Sequence, residues 1–348
     1  MRRFLVLAAA FVIALVVAGN AGAASLAHQP DVSKLDPIEL TFCTMSMGSS
    51  TNVMTSNMVS VIEPYLPKGS RINVTTDMAG GAVAPFMIST GMADLAIGDS
   101  TPNEWAAAGI TPGREGQVAE NVAAFGGSMF YSTIIVLFAE GFEEKSGCST
   151  LEELVAKKYP IVFATKVFGS FGAMSMDMIF KVLGITEEDI KSWGGDVIRV
   201  DTMQALDMIK DKRAHVYIDH NNRYHGGVIE LLMTSNVKFI QLADSTLNGL
   251  EKLGYAPARI EAKSFTATQP ATDIDTAASA QCFIMSAKLP DEYAYLITMA
   301  VCEERDKLVA MNANFTTFEP AKAWVRNGLG FDLHPGALLY YKDKGYIK

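Results

Sequence analysis

From residue 38 onward, short apolar stretches of two different periods take turns along the chain. Ile38-Glu39-Leu40-Thr41-Phe42 alternates apolar and polar residues, the period of a half-buried strand. Met54, Met58, Val61, Ile62 and Tyr65 then recur at helical spacing until Pro67-Lys68-Gly69 ends the run. Residues 71–75 predict a second strand, 83–89 a short helix and 94–97 a third strand. Residues 132–139 are almost unbroken apolar and β-branched, which suits a strand covered on both faces. The alternation then resumes. Thr150 caps a helix beginning at Leu151, residues 161–164 form a strand, and Met174, Met178, Ile179, Val182 and Leu183 mark a helix face. Residues 197–200 and 215–219 predict strands, with a helix capped by Asp201 between them. Residues 237–242 and 281–286 predict two more, and Pro290 opens a long helix that turns Leu296, Ile297, Ala300 and Val301 inward. The polar, Ala- and Thr-rich stretch 263–279 reads as a long surface loop. Short strands alternating with helices imply an α/β fold with mostly parallel, helix-covered sheets.

Ahead of this pattern, Met1-Arg2-Arg3 precedes an uncharged apolar run over residues 4–17, and Ala21-Gly22-Ala23-Ala24 follows it. These are the three parts of an export signal. The apolar run falls short of the roughly 20 residues a spanning helix needs. A leader over 1–24 is therefore expected, cleaved near Ala23 or Ala24, with no cysteine at the cut to carry a lipid. The roughly 325 residues left suffice for two domains of ordinary size. Apolar residues make up 49% of the chain, enough for a sizeable core. Losing Arg2 and Arg3 takes the formal charge from −9 to −11. With no basic cluster to meet phosphates, nucleic acid is not an expected partner. Cys43, Cys148, Cys282 and Cys302 match no paired zinc-binding spacing. Export makes disulfides chemically possible, so three full pairings and the free state all remain open, and Cys43 and Cys282 also suit small buried thiols.

In open α/β sheets ligands sit at the carboxyl ends of strands, where helices begin and their N–H groups favour anions. Three strand–turn–helix loops carry small or hydroxyl residues: Gly48-Ser49-Ser50-Thr51-Asn52, Gly80-Gly81-Ala82 and Gly169-Ser170-Phe171-Gly172. A fourth, Gly98-Asp99-Ser100-Thr101-Pro102-Asn103, follows the third strand. Ordinary N-capping explains such residues singly; four such loops on one edge point to a ligand site. After the strand at 215–219, Asp219, His220, Asn221 and Arg223 belong to an unusually polar run, and Lys166 also follows a strand. A cation in a desolvated cleft would grip a carboxylate, Arg bidentately; a solvated loop with an Asp219–Arg223 pair is the plain alternative. Trp105 and Phe171 suit either a ligand contact or a packing position. His215, His220 and His225 recur every five residues, a spacing that keeps them on no common face, and no HExxH occurs. Phe168-Gly169-Ser170-Phe171-Gly172 misses the GxSxG nucleophile elbow by its first glycine. No catalytic residue, metal or cofactor is assigned.

Ala79-Gly80-Gly81-Ala82, a short helix, and Ser89-Thr90-Gly91-Met92-Ala93-Asp94-Leu95-Ala96-Ile97 come in that order. Gly184-Ile185-Thr186-Glu187-Glu188-Asp189-Ile190 and Ala205-Leu206-Asp207-Met208-Ile209-Lys210 follow, and then Leu333-His334-Pro335-Gly336-Ala337-Leu338-Leu339-Tyr340-Tyr341-Lys342-Asp343-Lys344-Gly345. The ordered set resembles the TAXI family, the extracytoplasmic solute receptors of one branch of TRAP transporters. The resemblance implies a two-lobed type II periplasmic binding fold with a sheet in each lobe and two crossover strands, near residues 132–138 and 283–287. One lobe would hold 37–130 and 287–348, the other 131–286. It further implies a monomer in the periplasm, a TRAP membrane permease as partner, and a small carboxylate ligand such as glutamate, 2-oxoglutarate or a related acid. Three loop features depart from the family pattern: Met45-Ser46-Met47-Gly48-Ser49-Ser50-Thr51-Asn52 lacks paired aromatics, Phe171 interrupts a Gly-Ser-Gly loop, and Lys166 replaces a glycine or proline. A sensory module serving a membrane kinase and a secreted enzyme are the two other readings.

Overall fold

The computed structural model describes residues 26–45, 47–78, 80–127, 131–221, 223 and 225–348; the expected leader lies outside them. Strand β1, Glu39–Cys43, shows how the sequence pattern becomes layers. Leu40 and Phe42 enter one buried cluster while Cys43 enters another on the opposite face, as side chains of period two must. β2 (Arg71–Thr75) and β3 (Leu95–Asp99) flank β1 in parallel. β4 (Val122–Gly126) and β5 (Tyr131–Phe138) follow, and then β6 (Val162–Lys166), β7 (Asp196–Val200) and β8 (Val216–Asn221). β9 (Lys238–Phe239), β10 (Ala256–Ile260) and the 13-residue β11 (Ile274–Ser286) complete the strands. Their order is β2-β1-β3-β11-β5-β8-β6-β7. β6 pairs in parallel with β7 and β8, whereas β11 is antiparallel to all its neighbours.

The helices fill the intervals: α1 (Ser50–Ile62), α2 (Ala84–Ser89), α3 (Ser100–Ala108), α4 (Phe142–Ser146), α5 (Leu151–Ala156), α6 (Phe171–Leu183) and α7 (Glu187–Ser192). α8 (Thr202–Lys210), α9 (Gly226–Thr234), α10 (Asp244–Lys252), α11 (Asp291–Glu303), α12 (Arg305–Met311) and α13 (Pro335–Asp343) follow. The predicted caps form: Thr150 accepts from Glu153 N, and Asp201 from Gln204 N. Among the described residues no helix is long and apolar enough to cross a membrane.

The fold is α/β with two lobes, each with its own sheet and core. One core joins Phe42, Leu95 and Phe283 to Tyr295 of α11 and Tyr340 of α13. The other joins Phe138 of β5, Phe163 of β6 and Tyr217 of β8 to Ile179 of α6. The chain passes between them twice. β4 leads into β5, and β11 changes partners midway: Ala280 is paired with Tyr131 of β5, and the next residue, Gln281, with Asp99 of β3. This change comes a few residues earlier than the sequence suggested.

Two expectations need correction. The stretch 263–279 is a loop only as far as residue 273, because β11 begins at Ile274. Its small residues disguise it: Ala277, Ala278, Ser279 and Ala280 are buried, and Thr276 hides its hydroxyl in a 2.7 Å bond to Ile134 O. The strand expected at 237–242 shrinks to Lys238–Phe239 against β5. Cys43, Cys148, Cys282 and Cys302 are all buried and free.

Candidate functional site

Parallel strands carry their following helices away from the same edge, so the carboxyl ends of β1, β3, β6, β7 and β8 converge. They enclose a cleft of about 710 Å³. The first turns of four helices open on it: Ser50 and Thr51 of α1, Phe171 and Gly172 of α6, Thr202 and Met203 of α8, and Gly226 and Gly227 of α9. A helix leaves its first N–H groups unbonded and carries the positive end of its dipole there. In each of these helices only the third N–H is taken by the cap, from Ser49, Ser170, Asp201 and His225 respectively. The earlier N–H groups of each turn belong to residues that line the cleft.

Lys166, at the end of β6, lies 15% exposed in the wall, its Nζ 2.9 Å from Asp219 Oδ2. Asp219 is fully buried and collects further donors: Tyr217 Oη and Asn221 Nδ2 on Oδ2, and the His220 N–H on Oδ1. This carboxylate is a fixed anchor for the ammonium. The anchor dictates the glycine beside it, because a β-carbon at Gly172 would fall 1.8 Å from Asp219 Oδ1.

Across the cleft, Asp99 ends β3 at 6% exposure. Burial pushes its carboxyl up to about 7, against the opposing pull of Lys166. It does not cap α3, and among the described residues no hydrogen bond reaches its carboxylate. Two histidines also line the cleft. Burial, assisted by Lys166, holds His220 neutral with its pKa well below the usual value, and its ring lies 4.1 Å from that of Phe171. His225 is shifted down for the same two reasons, in the same order, though Asp219 pulls it upward. Its Nδ1 accepts from Val228 N, which leaves the proton of the neutral ring on Nε2.

The sequence candidates divide in two. Gly48, Ser49, Ser50, Thr51, Gly80, Gly81, Lys166, Phe171, Gly172, His220 and Asn221 line the cleft. The others do not. Ser100 and Thr101 are not in a loop; they start α3, and their polar groups are engaged elsewhere. Ser100 Oγ is 3.2 Å from Ser279 Oγ, and Thr101 Oγ1 donates to Gly254 O. Asn52 accepts from Gly48 N, and Ala82 is buried in the core of the second lobe. The Ser170 hydroxyl donates to Val167 O at 2.7 Å while capping α6. Gly169 and Ser170 instead meet Gly80 of the other lobe, where a β-carbon would stand 2.7 Å from Ser170 Cα. Asp219 lies behind Lys166, and Arg223 borders a separate groove of about 400 Å³ with Tyr131 and Arg259. Trp105 is a packing residue, edge-on to Tyr255 at 5.7 Å with Nε1 bonded to Leu253 O.

Gln281, Thr202, Gly226 and Gly227 were not singled out, and Asp99, Asp201 and His225, though named for other reasons, were not assigned to the site. Gly226-Gly227 repeats the signal of Gly80-Gly81, and Asp201 the strand–cap–helix signal of Ser49. Asn312 and Asn314 come from after α12, where nothing in the local sequence marks them. Among the described residues no three His, Cys, Asp or Glu side chains are grouped to hold a metal ion.

A model of the NMT1-like family matches residues 42–345. Among solved structures, MatC from Rhodopseudomonas palustris with bound malate is 13% identical, covering 90% of this chain and 97% of that one, with a TM-score of 0.49. A TctC solute binding protein from Polaromonas is 14% identical over 89% and 96% of the two chains, with a TM-score of 0.44. The periplasmic aliphatic sulphonate binding protein SsuA from Escherichia coli is 13% identical over 88% and 79%, with a TM-score of 0.43.

Proposed function

The chain belongs to the NMT1-like family, and from that premise we propose that it is a periplasmic solute-binding protein that captures a small organic acid between its lobes for a membrane transporter. The observation that carries this reading is the meeting of four helix N-termini and Lys166 on one cleft between two lobes. Each N-terminus offers free N–H groups and about half a positive charge, which favours a carboxylate. We assign the grip to the first turns of α1, α6, α8 and α9 together with Lys166, and place the moving bodies at 37–130 with 287–348 and at 131–286. A TRAP-type permease of the TAXI branch is the partner the sequence motifs suggest. Closure needs a solute that binds the closed form better than the open one, and donors drawn from both lobes supply that difference. An enzymatic reading gains no support from Ser170, whose hydroxyl is tied to Val167 O and Ala173 N.

The test is a thermal-shift and calorimetric screen of the mature protein against small carboxylates and neutral osmolytes, since binding to the native state raises the melting temperature. Carboxylates should bind and be recovered unchanged. Losing a good charged contact from a buried site typically costs roughly 2–5 kcal/mol, so Lys166→Ala should weaken binding by about tenfold or more. Binding of neutral compounds only, or steady conversion of a bound acid, defeats the proposal.

A further inference from the structure

We infer that the solute is a monocarboxylate with an apolar chain, and that Met45, Met47, Val53, Val167 and Met203 form a subsite for the chain. The inference rests on the cleft being a solute site and goes on to name the solute's chemistry. The lining of the cleft changes character with depth. Ile97, Phe171 and His220 are buried at its floor, whereas Met47, Val53, Val167 and Met203 are exposed at its mouth. Met47 is 87% exposed and Met203 49%. Large apolar side chains left in water singly need no explanation, but several gathered round one opening mark a binding surface.

Both lobes contribute to it. Met45 and Met47 follow β1 and Val53 lies in α1, while Val167 follows β6 and Met203 lies in α8. On each lobe these residues adjoin a first turn assigned to the acid. Thr51, in the first turn of α1, donates its hydroxyl to Met45 Sδ at 3.5 Å, so that hydroxyl is spent on the thioether. Gly227 gives Met203 room against α9, since a β-carbon there would lie 2.8 Å from Met203 Sδ. A chain whose acid meets these turns runs outward between methionines and valines. Methionine is unbranched and adaptable and recurs on surfaces that accept flexible apolar partners, which suits an alkyl chain.

A second acid group finds no such match. Among the described lining residues Lys166 is the one formal cation, and Asp219 already pairs with it. The other formal charges there, Asp99 and Asp201, repel an anion. Acid at one end and hydrocarbon at the other fits both parts of the lining. Closing the lobes over such a solute takes the exposed methionines and valines out of water together with the chain, which adds to the preference for the closed form.

The experiment measures acetate, butanoate, hexanoate, octanoate and succinate on the mature protein by titration calorimetry. Each methylene removed from water tightens binding roughly fourfold, so octanoate should bind about tenfold or more tighter than butanoate even with half of its added chain still wet. Its heat-capacity change on binding should also be the more negative, the mark of apolar burial. The triple variant Met47→Gln, Val53→Thr and Val167→Thr changes exposed side chains to polar ones of similar size. It should cut the octanoate-to-butanoate ratio by about threefold or more, the effect of roughly one methylene's worth of apolar contact. If these residues only meet each other on closure, the variant weakens both acids alike and the ratio stands, which overturns the inference. Succinate or butanoate binding with no gain from added methylenes overturns it as well and leaves the solute-binding reading standing. If no acid of either kind binds, both fall.

Discussion

Replacing Asp99 by Asn should make the empty protein more stable, and increasingly so as the pH rises. An Asp carboxyl ordinarily titrates at 3.8, and burial moves this one up to about 7. Between those values the folded state holds a proton that the unfolded state has released, so stability falls with rising pH. The stabilising protonated form is complete below about pH 4 and is lost through pH 7. A shift of about three units at roughly 1.36 kcal/mol each gives about 4 kcal/mol over the whole range. The part falling between pH 5 and pH 8 is roughly 2–3 kcal/mol. Asparagine keeps the shape of the side chain and cannot ionise. Other groups, including His220, His225 and Lys166 on the facing elements, are present in both proteins and cancel in the comparison to first order. Urea denaturation of the ligand-free mature protein and of the variant at pH 5, 6, 7 and 8 measures the difference directly. The variant should gain on the wild type by about 2–3 kcal/mol across that interval and level off above it. Parallel curves would refute the reasoning, because they would mean that Asp99 is solvated or paired in the folded protein.

Two further substitutions test the cleft's construction. Gly172→Ala places a β-carbon 1.8 Å from Asp219 Oδ1, so it should displace the carboxylate from its donors and lower stability by roughly 2–4 kcal/mol; a circular-dichroism melt matching the wild type contradicts this. Gly80 is extended, with φ at 179°, so Gly80→Ala acts only through space, against Ser170 on the other lobe. It should prevent full closure, leaving a larger radius of gyration in small-angle scattering with solute present and weakening binding by roughly tenfold, the scale of one lost contact of about 1.4 kcal/mol. Equal compaction in both proteins would show that this contact does not govern closure.

What the sequence conveyed depended on whether the physical cause was local. Strands such as β1 and β3 announced themselves because one face carries Leu40, Phe42, Leu95 and Ile97 and the other smaller residues, and a two-residue period is visible within five positions. The first half of β11 was hidden because it is held between β10 and β5 and its buried residues after Ile274 are small, threonine, alanine and serine, so no apolar alternation marks it. The helix caps at Thr150 and Asp201 were legible, each being decided within three residues, whereas Ser49 and Ser170, also caps, read as ligand-loop residues. Whether a hydroxyl faces a ligand was not legible. Ser100 looks like a donor to a cleft, yet its partner is Ser279, 179 positions away. Gly172 is glycine because of Asp219, and Asp99 meets Gln281 only through the register of an antiparallel pair.

The charged side chains of the folded cleft differ from what the linear sequence suggested. Reading along the chain, Lys166 and Arg223 looked like two cations waiting for an acid. In the folded protein Lys166 is already matched by Asp219, and Arg223 stands at a different groove. Among the described residues, the remaining formal charges lining the cleft are Asp99 and Asp201, both acidic. Attraction for an anion therefore comes from helix dipoles, which act over roughly the first turn and amount to partial charges. They can hold one carboxylate at the ends of α6, α8 and α9. A second carboxylate would have to sit near Asp99, where burial already disfavours a single negative charge. Under the proposed reading Lys166 and the first turns of α6, α8 and α9 lie on one lobe and that of α1 on the other, so an acid that bridges them ties its binding energy to the closing of the lobes.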